Sequence, residues 1–252
     1  MTMERFRLLE VETTESTNTL AKAMGADFKD ATPVVVITDN QTGGRGQRGN
    51  SWESEPGANL TFSLVLQPVW LAPAHQFELS MLVSVGIVNA LRSVVPPKPL
   101  SVKWPNDIYY GDRKICGILI ENTIEGARIE RSVIGIGLNV NQKEFRSDAP
   151  NPISLCHITG RATDRKELLD KVVDNILDMV DQYADDPEPD ELTALYNGLL
   201  WRNDGRFHKW TEADGTVIEA KIVGVNTDGR LTLQMPDGSE KSYLFKEVGA
   251  VL

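Results

Sequence analysis

Apolar residues recur along most of the chain with two different periods, which predict strands and helices respectively. Residues 34–37 are a β-branched run that indicates a buried strand, and residues 58–66 alternate as a returning strand does. Residues 77–92 are apolar around most of a helical circumference, which predicts a well-buried helix. Asp164, with Glu167 three residues later, predicts the start of a long amphipathic helix. The larger part of the chain therefore combines strands with buried helices.

The pattern changes near Asn203, where we predict a domain boundary between residues 1–203 and residues 204–252. The second segment consists of short strand-like runs separated by Asp-Gly dipeptides, which are a strong signal for hairpin turns. The dipeptides are Asp214-Gly215, Asp228-Gly229 and Asp237-Gly238, between runs at 206–211, 216–225, 231–235 and 241–244. Four or five such strands predict a small barrel of SH3-like size.

Two other segments interrupt predicted strands with unusual residues. Residues 101–110 are strand-like except for Trp-Pro-Asn-Asp at 104–107, where the proline predicts a bend or a sheet edge. The apolar run that ends near Asn139 contains alternating glycines, Gly135 and Gly137, which leave a smooth slot on one face. The slot could hold a slender ligand or allow a helix to pack closely, and the sequence leaves both open. Asn139 needs a hydrogen-bond partner if it is buried.

A glycine-rich loop follows the predicted strand at 34–37 and carries two arginines, Arg45 and Arg48. Its glycines allow backbone N–H groups to approach a ligand closely, and arginine supplies planar donors suited to carboxylate or phosphate. The loop lacks the Gly-Lys-Ser/Thr of a phosphate-loop NTPase and the spacing of a dinucleotide fingerprint. It is either a loop that encloses an anionic ligand or a flexible hairpin connection.

Ser16, Thr17 and Asn18 form a dense cluster of hydroxyl and amide side chains before a short predicted helix. One hydroxyl is enough to cap that helix, and the other groups could bind a compact polar ligand head. Lys114 begins an apolar strand after a turn at 111–112. It is either an exposed turn lysine or a lysine held rigidly beside a cavity.

Composition and charge exclude several classes of function. The 252 residues carry a formal net charge of -10, which argues against general nucleic-acid binding and against an anionic membrane partner. The two cysteines are too few for a disulfide framework, and the chain has no signal-peptide core, so we expect a cytoplasmic protein. Its three histidines have no metal-ligand spacing, and no nucleophile elbow occurs, so neither metal hydrolysis nor a serine–histidine mechanism is supported.

These segments together resemble the biotin–protein ligases, or biotin–[acetyl-CoA-carboxylase] ligases. The matching pieces follow the family's order and spacing over essentially the whole chain. They are Ser16-Thr17-Asn18, the loop at 41–52, Lys103-Trp104-Pro105-Asn106-Asp107, residues 114–119 and residues 135–139. The resemblance implies an α+β fold: a mixed β-sheet with packed helices, related to class II aminoacyl-tRNA synthetases, followed by a small SH3-like β-barrel.

The resemblance also implies roles for individual residues. Ser16, Thr17, Asn18 and Gln41 would bind the ureido head of biotin, and Gly44, Arg45, Gly46 and Gln47 would close over biotin and its activated form. Trp52, Gly135 and Gly137 would line the channel for the apolar tail, and Lys114 would hold the carboxylate. The ATP side would comprise Arg45, Gln47, Arg48, Lys103, Asn106, Asp107 and Asn139. Within this set Lys114, Arg45 and Arg48 would be catalytic, and Asn106 and Asn139 would bind Mg²⁺.

The implied reaction uses ATP and Mg²⁺ to convert biotin to biotinyl-5′-AMP, and then transfers biotin to a lysine of a biotin carboxyl carrier domain. Dimers are common in the family, so a homodimer is one expected state, and no nucleic-acid or membrane partner is expected. Because the pattern already starts at Ser16, we expect no N-terminal DNA-binding domain of the kind that some relatives carry. Many relatives have arginine where this chain has Gln47, so the adenylate is expected to be held less tightly here.

Three alternatives remain open at this point. A lipoate–protein ligase or octanoyltransferase shares a related fold, although it would not need this glycine-arginine loop together with Lys-Trp-Pro-Asn-Asp. A non-catalytic biotin-binding regulator would need an output domain, for which the sequence gives no sign. A general nucleotide-binding protein would leave the Ser-Thr-Asn cluster unexplained.

Overall fold

A mixed seven-stranded sheet forms the centre of the larger part of the molecule. The computed structural model describes residues 5–24, 31–47, 51–96, 98–147 and 149–252. The strands are β1 (Arg7–Thr14), β2 (Val34–Gln41), β3 (Leu60–Leu66), β4 (Leu100–Lys103), β5 (Asp107–Tyr110), β6 (Arg113–Glu125) and β7 (Arg128–Leu138). Their order across the sheet is β1-β2-β3-β7-β6-β5-β4, and every pair is antiparallel except β1 with β2.

Helices cover both faces of this sheet because its central strands are apolar on both sides. The helices are α1 (Thr17–Ala23), α2 (Gln76–Leu91), α3 (Leu155–Thr159), α4 (Arg165–Asp185) and α5 (Pro189–Gly198). On one face Ala21 of α1 packs with Val34 and Val36 of β2 in a small cluster. On the other face α2 and α4 pack over Val35 and Leu64 in the main core. The alternation along β2 thus assigns neighbouring residues to two separate cores.

A five-stranded antiparallel sheet follows, with the order β11-β10-β9-β8-β12. Its strands are β8 (His208–Glu212), β9 (Val217–Val225), β10 (Leu231–Gln234), β11 (Glu240–Tyr243) and β12 (Val248–Ala250). The glycines of all three Asp-Gly turns have positive φ: 90° at Gly215, 84° at Gly229 and 86° at Gly238. The turns therefore lie where the sequence predicts them, because glycine enters that conformation without a steric penalty. The domain boundary near Asn203 remains a prediction.

The second sheet is attached to the first through the Trp-Pro-Asn-Asp segment and helix α5. The Trp104 indole donates a 3.0 Å hydrogen bond to the carbonyl of Gly229, and its ring meets Phe245 edge-to-face. Asn197 accepts a hydrogen bond from the Val225 amide (2.8 Å) and donates to the Val225 carbonyl (3.2 Å). Buried residues of both sheets belong to one apolar cluster. The segment at 104–107 consequently lies where the two sheets meet.

The structure differs from the sequence-based prediction at the amino-terminal strand. Strand β1 was not indicated by residues 7–14, because an edge strand with one open side is largely exposed and lacks a strong apolar period. The helix at Asp164 is as expected, since its carboxylate accepts a 3.0 Å hydrogen bond from the Glu167 amide. No helix among the described residues is long and apolar enough to cross a membrane.

Candidate active site

One cavity of about 540 Å³ opens between the two sheets and collects most of the residues singled out in the sequence. Its wall is formed by α1, the glycine-rich loop, strands β3, β6 and β7, the segment at 103–107 and the second sheet. The predicted residues along it are Ser16, Thr17, Asn18, Gln41, Arg45, Gly46, Gln47, Trp52, Lys103, Asn106, Asp107, Lys114, Gly135 and Gly137. Residues distant in sequence therefore share a single enclosed site.

Hydroxyl and amide groups gather at one end of the cavity. Ser16 caps helix α1 by accepting a hydrogen bond from the Thr19 amide (3.4 Å), and it also lines the cavity. The Thr17 backbone amide donates to Gln41 Oε1 (2.9 Å). Because that oxygen is occupied, Gln41 retains its Nε2 group as a donor for a ligand. This end therefore combines the helix cap with an array of groups that can bind a polar head.

The glycines of β7 allow bulky side chains to lie directly on the sheet. A methyl group added at Gly135 would be 2.5 Å from Asn18 Oδ1, and one at Gly137 would be 2.3 Å from Trp52 Cε2. Gly117, which pairs with Gly137 across β6 and β7, also lies under the Trp52 ring. The alternating glycines thus form the floor on which Asn18 and Trp52 rest. Close packing over the slot is therefore observed, by Asn18 of α1 and by Trp52, and both glycines also line the cavity.

Lys114 is held rigidly beside the cavity, with 29% of its side chain exposed. Its backbone amide donates to the Asn151 carbonyl (2.8 Å), and its carbonyl accepts from the Ile153 amide (2.9 Å). Its ammonium group lies 2.7 Å from Asp107 Oδ1 and 5.4 Å from the centre of the Trp52 ring. This geometry presents a fixed cation to the cavity, because both the backbone and the side chain are tethered.

Two other predicted residues have partners that limit what they can offer. The Lys103 ammonium donates to the Tyr109 hydroxyl (3.0 Å) and lies 5.7 Å from the Trp201 ring, and among the described residues it forms no ion pair with a carboxylate. Asn106 donates a 2.6 Å hydrogen bond from its side-chain amide to the Ile118 carbonyl. Its side-chain oxygen is the group left for a ligand.

Asn139 lies behind the cavity wall and is not among the lining residues. It is 2% exposed and donates from its side-chain amide to the Ile153 carbonyl (3.1 Å). Its Oδ1 is buried and, among the described residues, has no hydrogen-bond partner. The structure therefore does not bring Asn139 together with Asn106 at the cavity surface, contrary to the expectation of a shared role there.

The two ends of the glycine-rich loop are joined by backbone contacts between residues 44–45 and 51–52. The Trp52 amide donates to the Gly44 carbonyl (2.9 Å), and a methyl group added at Gly44 would be 2.4 Å from the Trp52 carbonyl oxygen. The Arg45 guanidinium donates to the Thr19 hydroxyl on α1. Gln47 lines the cavity, and its Oε1 is buried without a partner in the described part of the chain. Arg48, also expected in the site, lies outside the described residues.

The sequence did not single out several residues that line the cavity or contact its lining residues. Gly117 lies under Trp52, while Ser63 and Glu121 both contact Asn18. Trp201 and Lys246 line the cavity from beyond residue 200. Ser63 was visible only as a polar residue inside an apolar strand and Gly117 only as part of the segment at 114–119, and the others carry no motif. Their contributions depend on sheet pairing and on how the two sheets meet.

A carboxylate fixes the far end of the glycine-rich loop. Glu53, next to Trp52, accepts hydrogen bonds from the amides of Arg146 (2.8 Å) and Ser147 (2.7 Å). Burial tends to raise the pKa of Glu53, but hydrogen bonds from Ser147 and Arg146 outweigh that effect and leave the pKa lowered. A carboxyl group whose pKa is lowered by folding stabilises the folded state at pH values above its unfolded-state pKa. This stabilisation is lost as the pH falls through the folded-state pKa.

We therefore expect Glu53→Gln to unfold at a lower temperature than the unchanged protein at neutral pH. The difference should shrink as the pH falls through the lowered pKa, because both side chains are then uncharged. Thermal unfolding followed by circular dichroism over a pH series measures this. A difference that does not change with pH would show that the charge of Glu53 contributes nothing.

Comparison with known proteins assigns the chain to a family. The model of the biotin/lipoate A/B protein ligase family matches residues 10–139, just over half of the chain and nearly all of the large sheet. The chain belongs to this family. The matched segment contains the Ser-Thr-Asn cluster, the glycine-rich loop, Lys114 and both slot glycines.

The chain is similar to several named proteins and to solved structures. It is 31% identical over 219 residues to the bifunctional ligase/repressor BirA of Bacillus subtilis (strain 168), which covers 83% of this chain and 64% of that protein. It is 32% identical over 162 residues to the biotin–[acetyl-CoA-carboxylase] ligase of Paracoccus denitrificans, covering 62% of this chain and 66% of the relative. The chain thus spans about two thirds of the length of these curated relatives.

A similar fold occurs in a biotin protein ligase from Aquifex aeolicus in complex with biotin and ATP. That structure matches 96% of this chain and 97% of its own, with a TM-score of 0.79 and 27% sequence identity. A biotin protein ligase from Leishmania major in complex with biotinyl-5-AMP also has this fold, with a TM-score of 0.66 and 20% identity. The seven-stranded sheet with its packed helices is thus the fold of known biotin ligases.

Proposed function

We propose that this protein is an ATP-dependent biotin–protein ligase. It would activate biotin to biotinyl-5′-AMP and then transfer biotin to a lysine of a biotin carboxyl carrier domain. The observation that carries the proposal is the arrangement within one cavity. Hydrogen-bonding groups around Thr17 occupy one end, the Gly137 slot leads away from them, and the Lys114 cation lies beside the slot. A polar head, an apolar tail and a terminal carboxylate would fit these parts in that order.

Activation brings two anions together, and the cavity supplies the charge that this requires. A carboxylate oxygen of biotin attacks the α-phosphorus of ATP, the bond to the β-phosphate bridging oxygen breaks, and pyrophosphate leaves. Lys114 and Arg45 would offset the repulsion between the reactants and stabilise charge on the phosphorus oxygens. In the second half-reaction the carrier lysine attacks the acyl carbon, AMP leaves with the bonding electrons, and the amine loses a proton. No covalent enzyme intermediate is needed.

The Lys114–Asp107 ion pair connects the two halves of the site. Asp107 Oδ1 lies 2.7 Å from the Lys114 ammonium group. Asp107 belongs to the segment that is attached to the second sheet through Trp104. Arrival of a ligand carboxylate gives the ammonium group a second anionic partner. Asp107 would thus keep Lys114 oriented until biotin binds, and a lysine has the three donors needed to serve both.

The Mg²⁺ carried by ATP would contact the protein at the segment that holds Asn106 and Asp107. Mg²⁺ usually keeps several waters and takes one or two protein oxygens together with phosphate oxygens. The Asp107 carboxylate and the Asn106 side-chain oxygen lie at the cavity wall and suit that role, whereas Asn139 is buried behind it. Within the described residues no three histidine, cysteine, aspartate or glutamate side chains form a metal cluster. We therefore propose that the ion enters with the nucleotide.

The remaining features of the proposed enzyme concern its second sheet and its surroundings. We propose that the five strands of the second sheet form an SH3-like barrel that closes the cavity next to the Trp104 segment. The acceptor would be the carrier domain of a biotin-dependent carboxylase, and a homodimer would be the working state. Both described cysteines, Cys116 and Cys156, are free, which fits activity in the reducing cytoplasm.

The strongest alternative is a lipoate or octanoate ligase of the same family, and the polar end of the cavity argues against it. Thr17, Asn18 and Gln41 form a hydrogen-bonded array, and a dithiolane ring or a methyl end would leave these groups unsatisfied. Exchange of labelled pyrophosphate into ATP, driven by biotin, octanoate or lipoate in turn, separates the two. We expect exchange with biotin alone. Exchange driven by octanoate or lipoate and not by biotin would refute the proposal.

The proposed function also gives Gln47→Arg a testable effect. Gln47 lines the cavity with a buried, unpartnered side-chain oxygen, and an arginine there would place a cation near the adenylate phosphate. A hydrogen bond to a charged group contributes about 1 kcal/mol more than a neutral one, so we expect the adenylate to dissociate roughly fivefold more slowly. Release of labelled biotinyl-AMP from the preformed complex measures this rate. An unchanged rate would mean that residue 47 does not contact the phosphate.

A further inference from the structure

The side chain of Asn18 is held at both ends, and two of its three partners, Ser63 and Glu121, lie outside the family motifs. Its Nδ2 group donates to Glu121 Oε2 (2.9 Å) and to the Leu119 carbonyl (3.3 Å). Its Oδ1 accepts a 2.6 Å hydrogen bond from the Ser63 hydroxyl. Asn18 is 5% exposed, so these contacts lie in the interior. The amide is consequently fixed in one of its two orientations.

Sheet pairing places this arrangement directly under helix α1. Gly135 pairs with Ser63 on one side and with Leu119 on the other, and Asn18 lies over that glycine. Both groups near Nδ2 can only accept hydrogen bonds, so they require the NH₂ end of the amide. The oxygen end must then face Ser63 and Gly135. An amide oxygen has two lone pairs, and Ser63 uses one, which leaves the other for a ligand.

We propose that Glu121 is a positioning residue for ligand selection: it orients Asn18 so that the polar end of the cavity presents a hydrogen-bond acceptor. This inference rests on the proposed function, and it assigns the recognition of a ligand N–H group to Asn18. A cyclic urea has two N–H groups and one carbonyl, so its head needs acceptors as well as the donor that Gln41 supplies. A head without N–H groups would leave the second lone pair of the oriented oxygen without a donor, at a cost in affinity.

Glu121 can perform this role because it stays ionised. Its other oxygen accepts from the ammonium group of Lys22 on α1. Burial tends to raise the pKa of Glu121, but hydrogen bonds from Lys22 and Asn18, with the charges of Lys22 and Arg45, leave it lowered. A carboxylate accepts hydrogen bonds and donates none, whereas a protonated acid could donate and permit the reversed amide.

The test compares biotin with analogues methylated on either ureido nitrogen. Glu121→Met has similar length but no acceptor, so only the longer 3.3 Å contact with the Leu119 carbonyl would remain to orient the Asn18 amide, and its preference for one orientation should weaken. We expect biotin to bind about tenfold more weakly to this variant, the effect of one lost hydrogen bond. The unchanged protein should discriminate strongly against at least one methylated analogue, and Glu121→Met should reduce that ratio severalfold. Glu121→Gln keeps one acceptor oxygen and should restore part of the ratio.

Matched controls separate positioning from a general structural effect. Glu125→Met alters a carboxylate at the exposed end of the same strand and should leave both affinities unchanged. The KM for ATP and the kcat at saturating biotin should remain within about twofold of the unchanged protein in Glu121→Met, because a contact made equally in the ground state and the transition state changes the KM for biotin and not kcat. Unfolding of Glu121→Met near the unchanged temperature excludes loss of the fold, and Glu121→Gln provides the same comparison if that variant is unstable.

Three outcomes distinguish this inference from the proposed function. A smaller discrimination ratio in Glu121→Met with partial recovery in Glu121→Gln supports the inference. A ratio equal to that of the unchanged protein, even with weaker binding overall, overturns it while leaving biotin ligation intact. An unchanged protein that binds no biotin overturns the proposed function itself, and the inference with it.

Discussion

Replacing Lys114 with alanine is expected to lower the rate of biotin-dependent pyrophosphate exchange about 100- to 1000-fold, the usual effect of removing one preorganised group that stabilises developing charge. Lys114 is the cation fixed at the wall by backbone hydrogen bonds to residues 151 and 153 and by Asp107. Without it the biotin carboxylate and the α-phosphate of ATP would approach each other with less positive charge to offset their repulsion. The Asp107 carboxylate would also lose its partner and add repulsion of its own.

The decisive measurement separates kcat from KM for biotin and ATP in the exchange reaction. Because the charge develops in the transition state, the main loss should be in kcat. Lys209→Ala is a suitable control, since that lysine is exposed on β8 of the second sheet and does not line the cavity. Exchange in Lys114→Ala within a few-fold of the unchanged protein would contradict the assigned role.

The second large effect is expected for Gly137→Ala, which should weaken biotin binding at least tenfold. The added methyl group would be 2.3 Å from Trp52 Cε2, a separation that real side chains do not adopt. The backbone of Gly137 is held by Thr61 on β3 and Gly117 on β6, so the Trp52 ring must move instead. Displacement of this kind costs on the order of 1–3 kcal/mol. Since the Trp52 amide is bonded to Gly44, the glycine-rich loop would be disturbed as well.

Calorimetric titration with biotin measures the loss, and Gly198→Ala supplies the matched control. Gly198 ends α5, and an added methyl group there meets no atom within 4 Å. That variant should bind biotin normally and keep or raise its unfolding temperature, because alanine is the better helix former. Normal biotin affinity in Gly137→Ala would show that the slot is not part of the ligand site.

The parts of the fold that sequence analysis recovered are those with a strong local signal. The apolar run at 34–37, the buried helix near residues 77–92 and the three Asp-Gly turns all have counterparts in the structure. Strand β1 was missed because it is an exposed edge, and β12 because three residues hold too little pattern. A periodic pattern of apolar residues arises where one face of an element is buried. Elements that are mostly exposed therefore show only a weak pattern.

Sequence analysis identified the site residues that lie in motifs. It did not identify residues that reach the site only through the pairing of strands. Asn18 and Gly135 carried signals of their own, and the structure brings them into contact. Ser63 and Glu121 enter the site only because their strands flank Gly135, which no local pattern reveals. Asn139 shows the converse, since a polar residue at the end of a strand carried a signal but is buried behind the cavity wall.

The central claim is that one cavity aligns a polar head, a slot and a fixed cation for a single ligand. A crystal structure of the protein with bound biotin tests this most directly. The account predicts the ureido ring against Thr17 and Asn18, the valeryl chain along Gly137, and the carboxylate in hydrogen-bond contact with Lys114. Biotin bound elsewhere, or bound in this cavity with its carboxylate turned away from Lys114, would contradict it.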